Sequence, residues 1–387
     1  MLRIYLDHNA TTPVDAAVAD AVGRALRDEF GNASSVHYFG QRAKALLDDA
    51  RAAVAALIGA EPAEIVFTSG GTESDNLALR GVADVLESTP RTHLIASSIE
   101  HEAVLNTLKA LGRRGWKTTI LPVDARGILS VDSLRETITR ETALVSVMHA
   151  NNEIGTIQPI AELAGVAHEH GALMHTDAVQ SVGKIPVDVG GLGVDLLSLS
   201  AHKFYGPKGA GALWIRRGAR LAATMTGGRQ ERGRRAGTEN VAGLAGLGVA
   251  ATLARQKLPS ESVRLQALRD RLEQGILDAV PQSAVNGAVT PRVPNTTNIS
   301  FDRVEAESLL IGLDLEGIAV STGSACSSGT LEPSHVLRAM GFPAHRTQNS
   351  IRFSLGSATT EAQVDRVIDI LPRIVEKIRS LSKVGAR

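Results

Sequence analysis

Short apolar runs alternate with longer amphipathic segments through the first two-thirds of the sequence. The apolar runs have the length and composition of strands, and they lie at residues 64–68, 92–97, 118–121, 143–149, 172–176, 195–200 and 211–215. The segments between them predict helices, for example at 41–57, 73–86, 102–113 and 160–170. This alternation predicts an α/β domain with a mostly parallel sheet, in which ligands bind beyond the carboxyl ends of the strands.

The pattern changes to a largely helical one after about residue 241. One amphipathic helix is predicted from four apolar residues at helical spacing, Leu265, Leu268, Leu272 and Ile276. Three short strands are predicted after it, at about 297–301, 318–320 and 350–354. A last amphipathic helix follows, and we expect Pro372 to kink it.

The chain length and charge limit the classes of protein to consider. A chain of 387 residues is long enough for two domains, and we expect a large α/β domain at 14–260 and a smaller α+β domain formed by 1–13 and 261–387. The 41 Lys and Arg residues equal the 41 Asp and Glu residues, so no net charge favours nucleic acid or an anionic membrane. With no apolar membrane span, no signal peptide and one cysteine, the sequence predicts a cytoplasmic protein.

The single cysteine, Cys326, lies in a segment of small and polar residues, 321–329, with the sequence STGSACSSG. A cysteine kept for packing normally has apolar neighbours, whereas these neighbours favour an exposed and mobile loop. One cysteine can neither form an internal disulfide nor supply four zinc ligands. A buried structural thiol is the alternative, but the composition of the loop indicates a reactive nucleophile.

A glycine-containing turn, Ser69-Gly-Gly-Thr72, follows the first predicted strand of the sheet and precedes a predicted helix. Glycines at such a turn let backbone N–H groups approach a phosphate, and the helix N-terminus favours negative charge. The same residues also fit a plain helix cap, because Thr72 and Asp75 have capping-box spacing. Both interpretations remain open from this motif alone.

Two polar residues follow neighbouring predicted strands. Asp177 ends the strand at 172–176, where an aspartate can cap a helix, bind a metal or pair with a protonated ring nitrogen. Lys203 follows the strand at 195–200, where burial would lower the pKa of the amine and make it nucleophilic. A phosphate turn, an acid and a lysine at strand ends together suit the phosphate, ring nitrogen and aldehyde of pyridoxal 5'-phosphate.

Ten segments, in order along the chain, carry a family resemblance: YLDHNATTP, FGNASSVH, EIVFTSGGTESDN, SSIEHEAVL, VSVMHANNEIGTIQPI, HTDAVQSVGKIPVD, LSAHKFYGPKGAGAL, GGRQERGRRAGTEN, STGSACSSGTLEPSHVLRAMG and SIRFSLG. Through them the sequence resembles the cysteine desulfurases, pyridoxal-phosphate enzymes with the aspartate-aminotransferase fold (fold type I), and most of all the group that supplies sulfur for iron–sulfur clusters. The resemblance implies removal of sulfur from L-cysteine by a homodimer that passes the sulfur to an iron–sulfur scaffold or another acceptor protein.

For the chemical steps the resemblance implies roles for three residues. Lys203 binds the cofactor covalently and, once released, moves protons between substrate and cofactor. His101 stacks on the cofactor ring and takes part in proton relay. Cys326 attacks the sulfur of the bound cysteine and becomes a persulfide while alanine is released, and it is also a candidate transient iron–sulfur ligand shared with a scaffold.

For binding, the resemblance implies a further set of residues. Asp177 holds the ring nitrogen protonated, and Gln180 hydrogen-bonds the phenolic oxygen. Arg352 binds the substrate carboxylate, with Asn152 beside it and the cofactor. Thr238 reaches the phosphate in the neighbouring subunit. The phosphate is otherwise bound by Gly71, Thr72, Ser200 and His202.

Other functions remain as alternatives. A metal enzyme would draw its ligands from His168, His170, His175 and Asp177. A nucleic-acid-binding protein would use four arginines that no aromatic residue accompanies, Arg229, Arg232, Arg234 and Arg235. Within the same fold, the alternative is a selenocysteine lyase or another cysteine-processing lyase. His8 departs from the family pattern, and the sequence assigns it no role.

Overall fold

A computed structural model describes residues 3–323 and 333–384 of the chain, with side chains as far as residue 381. Its strands are β1 (Ile4–Tyr5), β2 (Ile65–Thr68), β3 (His93–Ser97), β4 (Lys117–Leu121), β5 (Thr142–Ser146), β6 (Leu173–Asp177), β7 (Leu196–Ser200), β8 (Gly211–Ile215), β9 (Ser283–Val285), β10 (Thr296–Phe301), β11 (Ile318–Ala319) and β12 (Ser350–Ser354). Its helices are α1 (Ala16–Asp28), α2 (Tyr38–Leu57), α3 (Gly71–Leu86), α4 (Glu102–Gly112), α5 (Val131–Thr137), α6 (Ile160–Glu169), α7 (Val189–Leu192), α8 (Val241–Ala279), α9 (Ala306–Leu315), α10 (His335–Ala339), α11 (Ala344–Gln348) and α12 (Glu361–Val384).

The largest sheet has the strand order β2-β8-β7-β6-β5-β3-β4. Only β8 runs antiparallel to its neighbours, so the sheet is mostly parallel, as the alternation of the sequence predicts. The strands are buried apart from the edge strand β4, which explains why they are near-continuous apolar runs rather than alternating ones. The predicted fold class, a fold-type-I α/β architecture, is confirmed.

The carboxyl ends of β6 and β7 place two predicted residues at the same edge of this sheet. Asp177 is the last residue of β6, and Lys203 closes a short 3₁₀ turn that follows β7. Because β6 and β7 are adjacent and parallel, the two side chains approach one another from neighbouring strand ends. The topology therefore assembles the site that the strand ends predict.

The last third of the chain and the first residues share a second apolar core. Ile4 and Leu6 pack with residues between 265 and 375, and β1 pairs in parallel with β11. The helix α8 runs without interruption across residue 260, where the sequence predicts a domain boundary. The helix α12 likewise continues through Pro372 to residue 384. The division into 14–260 and the remainder stays a prediction.

Candidate active site

One cavity of about 340 Å³ lies at the carboxyl ends of β6 and β7, between the large sheet and β12. Ten of the residues predicted for the site line it: Gly71, Thr72, His101, Asn152, Asp177, Gln180, Ser200, His202, Lys203 and Arg352. Thr238 is exposed and does not line this cavity. Cys326 lies outside the described residues, but Ser321 and Gly323, which precede it in the sequence, line the cavity wall.

The N-terminus of α3 forms one side of the cavity. The helix begins at Gly71 and its cap residue is Gly70, whose φ of 151° is open to glycine and not to other residues. A Cβ on Gly71 would lie 2.8 Å from Val179 Cγ2, so the turn packs as closely as a glycine allows. Thr72 is therefore inside the helix, and the capping-box alternative is wrong. The N-terminus of this 16-residue helix lies at the cavity wall, and a helix N-terminus favours an anion.

Lys203 is held by the N-terminal segment rather than by an acid. Its Nζ donates hydrogen bonds to the backbone oxygens of Asn9 at 2.6 Å and Ala10 at 2.8 Å. Burial, together with the nearby charge of Arg352, lowers the pKa of Lys203 to about 8, while Asp177 acts in the opposite direction. About a fifth of this amine is thus neutral at pH 7.4, far more than for an exposed lysine, and a nucleophilic lysine requires the neutral form.

Three buried carboxyl groups, those of Asp75, Glu100 and Asp177, lie on the side of the cavity formed by α3, β6 and the start of α4. Burial raises the pKa of all three, and the charge of Asp177 raises the pKa of the other two further. The pKa of Glu100 reaches about 8. His101 and Lys203 oppose this rise at Asp177 and not at the other two, so Asp177 is the carboxyl whose ionised form nearby basic side chains favour.

The histidine nearest to this acidic group does not neutralise it. His175 Nε2 lies 3.6 Å from Asp75 Oδ1, but complete burial lowers the pKa of His175 to about 3. The imidazole is neutral, and it hydrogen-bonds Ser146 and Ser198 instead. Asp75 Oδ1 consequently has no hydrogen-bond partner among the described residues.

His101 caps the start of α4 as well as lining the cavity. Its Nδ1 accepts a hydrogen bond from the backbone N–H of Ala103 at 3.1 Å. A neutral ring that accepts at Nδ1 carries its proton on Nε2. The cap therefore fixes the ring orientation and leaves Nε2–H for a ligand.

Arg352, in β12, forms hydrogen bonds with the N-terminal segment and with Asn152, the residue predicted to lie beside it. Its Nη2 donates to Asp7 Oδ1 at 2.6 Å, and its Nη1 donates to the backbone oxygen of Asn152 at 3.0 Å. Its Nε is buried and has no hydrogen-bond partner among the described residues. The backbone of Arg352 also pairs with Ser321, which sets the start of the cysteine-containing segment beside the guanidinium.

Asn9 is a site residue that the sequence analysis missed. Its backbone oxygen accepts hydrogen bonds from both Lys203 Nζ and Gln180 Nε2. Its side-chain oxygen accepts from Lys184 and Asn295, and its Nδ2 donates to the backbone oxygen of Asn152. The segment YLDHNATTP supported the resemblance, but the role of Asn9 depends on its burial and on contacts with distant residues, which the sequence does not show.

Gln180 and Lys184 form a second connection that the sequence did not indicate. Lys184 Nζ donates to Gln180 Oε1 at 2.5 Å, so the amide nitrogen of Gln180 is turned towards Asn9 and the cavity. His8, to which no role was assigned, is also buried here, and its Nδ1 hydrogen-bonds the backbone oxygen of Ser354. Burial lowers the pKa of His8 to about 4, so its ring is neutral.

The alternative functions gain no support from the described residues. In that part of the chain no group of three or more His, Cys, Asp or Glu side chains could hold a metal ion, and His168 pairs instead with Asp195. Of the four arginines near residue 232, Arg235 forms an ion pair with Glu73, and Arg232 donates to a backbone oxygen. No helix there is long and apolar enough to cross a membrane.

Comparison with known proteins gives full-length matches. Residues 4–367 match the family described as Aminotransferase class-V. The chain is 50% identical to the cysteine desulfurase IscS of Dictyoglomus turgidum over 98% of this chain and 96% of that protein. It is 52% identical to a cysteine desulfurase of Trichormus azollae, over 99% and 95% of the two chains.

Solved structures agree with the sequence matches. A structure titled NIFS-LIKE PROTEIN superposes with a TM-score of 0.91 at 38% identity, covering 97% of this chain and all of that one. A structure titled SspA in complex with cysteine gives a TM-score of 0.81 at 37% identity, covering 91% and 98% of the two chains. The chain is a member of the class-V aminotransferase family. Within it, the chain belongs to the cysteine desulfurase family.

Proposed function

We propose that this chain removes sulfur from L-cysteine with pyridoxal 5'-phosphate, giving L-alanine and a persulfide on Cys326. The observation that carries the proposal is that one cavity brings together a lysine with a lowered pKa, a buried aspartate, a helix N-terminus and an arginine. The names of the relatives at about 50% identity support the same reaction.

The residues of the cavity fit pyridoxal phosphate. Asp177 uses Oδ1 to accept from the N–H of Val179, which leaves its other oxygen for a ring nitrogen. Arg352 Nε and Asp75 Oδ1 are buried polar atoms without a partner among the described residues, as expected where a polar ligand belongs. When bound, the cofactor supplies an electron-accepting ring that stabilises negative charge at the substrate.

Lys203 and His101 handle protons in this scheme. The lowered pKa of Lys203 lets its amine accept a proton near pH 8 and donate it again at the same pH. The amine is aimed by its two hydrogen bonds to the oxygens of Asn9 and Ala10. His101 presents Nε2–H from a ring that its cap interaction holds in place.

Arg352 is proposed to bind the substrate carboxylate, and Cys326 to accept the sulfur. A guanidinium binds a carboxylate through two parallel hydrogen bonds. The Cys326 thiolate forms an S–S bond to the substrate sulfur as the substrate C–S bond breaks. The carbon takes up a proton to become alanine, so the substrate is reduced at carbon while the transferred sulfur is oxidised. Gly323 in the cavity wall is three residues from Cys326 in the sequence.

The proposed assembly is a cytoplasmic homodimer of two-domain subunits. In it the exposed Thr238 would contact the phosphate in the partner's site, which agrees with its position outside this subunit's own cavity. The persulfide would pass to an iron–sulfur scaffold or another acceptor protein, with Cys326 as a transient ligand of the growing cluster.

Replacing Cys326 with alanine tests the proposal. Wild-type enzyme incubated with L-cysteine should gain one sulfur atom on the peptide containing Cys326, with a matching amount of alanine. In Cys326→Ala, alanine production should fall by about 10³-fold or more, while the visible absorbance of bound cofactor persists because Lys203 is intact. Lys203→Ala is the control and should lose that absorbance. Undiminished sulfur transfer by Cys326→Ala would defeat the assignment.

A further inference from the structure

Lys184 differs from every other buried cationic side chain among the described residues. These side chains are Arg51, Lys184, Arg269 and Arg352. Each of the three arginines has a carboxylate oxygen within 2.7 Å. Among the described residues Lys184 has none within 4.0 Å, and its Nζ donates to two amide oxygens, those of Asn9 and Gln180. A buried amine without an anion is costly, so its retention calls for a reason.

The titratable groups around Lys184 are basic. Lys203 and Arg352 act to lower the pKa of Lys184, after the larger effect of its burial. The charge of Lys184 in turn lowers the pKa of His8 and His202, which face it from the N-terminal segment and from the turn after β7. Nothing in these surroundings balances a positive charge on Lys184.

The acids lining the cavity on the other side of Lys184 are already neutralised. Asp15 pairs with Lys257 at 3.1 Å, and Glu261 pairs with Arg264 at 2.8 Å. Lys184 can therefore either be neutral, as its lowered pKa favours, or be protonated when a ligand outside the described residues supplies a negative charge. The active-site cavity is the place from which a ligand can supply it.

Gln180 connects Lys184 to that cavity. Its Oε1 accepts from Lys184, and one N–H of its Nε2 donates to the backbone oxygen of Asn9. An amide nitrogen has a second N–H, and Gln180 lines the active-site cavity. A charged donor at the oxygen end polarises the amide, so the remaining N–H becomes a stronger donor towards an anion.

We propose that Lys184 is a positioning residue whose buried ammonium group fixes the amides of Gln180 and Asn9 and balances the anionic ring oxygen of bound pyridoxal phosphate. This inference rests on the proposed function, because it requires that cofactor in the cavity. Lys184 does not line the active-site cavity and acts through Gln180.

The test compares Lys184→Gln, which keeps a donor without charge, with Lys184→Arg, which keeps the charge. Loss of a proton makes the cofactor chromophore more negative, so a nearby cation favours that loss and lowers its pH midpoint. Holoenzyme of Lys184→Gln should therefore show a visible-absorbance midpoint about one pH unit higher, and cofactor affinity about tenfold weaker. Lys184→Arg should restore the midpoint. Lys257→Gln, an exposed lysine beside the same region, is the matched control and should match wild type.

An unchanged midpoint in Lys184→Gln would overturn the inference, as would an equal shift in Lys257→Gln. Two folded Lys184 variants that both fail to bind cofactor would overturn it as well, because charge would not be the property required. Failure of the wild-type protein itself to bind pyridoxal phosphate would instead overturn the proposed function.

Proton uptake gives a second test that does not depend on Lys184→Gln folding. In wild-type apo-protein, Lys184 should take up a proton when the cofactor supplies its anion. Calorimetry at pH 8 in buffers of different ionisation enthalpy should show greater proton uptake for wild type than for Lys184→Arg, whose guanidinium is charged throughout. Equal proton uptake would contradict the inference.

Discussion

The two sides of the active-site cavity are built from opposite charges. The side formed by α3, β6 and the start of α4 carries the carboxyl groups of Asp75, Glu100 and Asp177. The side formed by the N-terminal segment, the residues after β6 and β7, and β12 carries Lys184, Lys203 and Arg352. On the acidic side burial raises the pKa values of the carboxyl groups, and on the basic side it lowers the pKa values of the two lysines.

The difference shows how one cavity can hold many charged groups at tolerable cost. Without a ligand, surplus acids retain protons and surplus amines lose them, so burial is met by neutralisation. A ligand with a cationic end and an anionic end satisfies both sides at once. Pyridoxal phosphate carries a ring nitrogen that can be protonated and a ring oxygen that can be anionic. Such a pair of groups suits a cavity with one acidic and one basic side.

Asp177→Asn is expected to have the largest effect, because it removes the one charge that the acidic side presents to the ring nitrogen. Turnover should fall by about 10²–10³-fold, measured as alanine released from L-cysteine under saturating cofactor. The matched variant is Asp75→Asn. Burial and the charge of Asp177 raise the pKa of Asp75, which favours its neutral form, so an amide there should cost less activity, a few-fold at most. Equal losses of turnover in both variants would show that Asp177 and Asp75 do not differ in their roles.

Arg352→Lys probes the basic side and is expected to have an intermediate effect. A lysine keeps the charge but cannot bind a carboxylate through two parallel hydrogen bonds, and it loses the geometry shared with Asp7 and Asn152. The KM for L-cysteine should rise by about 10- to 100-fold, with a smaller change in kcat. Steady-state kinetics measures this split. A fall in kcat at unchanged KM would instead place Arg352 in the chemical step.

Glu100→Gln has the smallest expected effect and acts on stability. The pKa of Glu100 is about 8 in the folded protein against 4.5 for a free side chain, so the folded state binds the extra proton between these values. Wild-type stability should therefore fall as pH rises from about 5 to 8, by up to about 1.4 kcal/mol per pH unit from this group. Urea denaturation at pH 5.5 and 7.5 should show the glutamine variant losing less. Parallel pH profiles would mean that Glu100 is ionised in the folded state.

The sequence predicted the fold and the strand-end residues because both depend on local patterns. The strands of the large sheet differ from prediction by three residues at most, at the end of β5, where 149 was expected and 146 is found. Asp177 and Lys203 follow apolar strands directly, so their positions at the sheet edge can be inferred from parallel pairing alone.

Asn9, Lys184 and Asp75 could not be found in this way, because their roles depend on contacts between distant parts of the chain. Asn9 accepts hydrogen bonds from Lys203, which is 194 residues away in the sequence, and from Lys184, which is 175 residues away. Lys184 is unusual because no carboxylate among the described residues lies within 4.0 Å of it. A sequence pattern cannot show that a partner is missing. Asp75 was interpreted as part of a helix cap, and only the buried neighbours Asp177 and Glu100 reveal its protonated state.

The dependence of the cavity on Asn9 has a consequence for the order of events during translation. Asn9 leaves the ribosome long before Asn295 and Ser354, which bind its side chain and its backbone. A nascent chain that has completed the large sheet still lacks Ser321, Gly323 and Arg352, which line the cavity around Lys203. We therefore expect a chain that ends before residue 352 to bind the cofactor more weakly than the full chain.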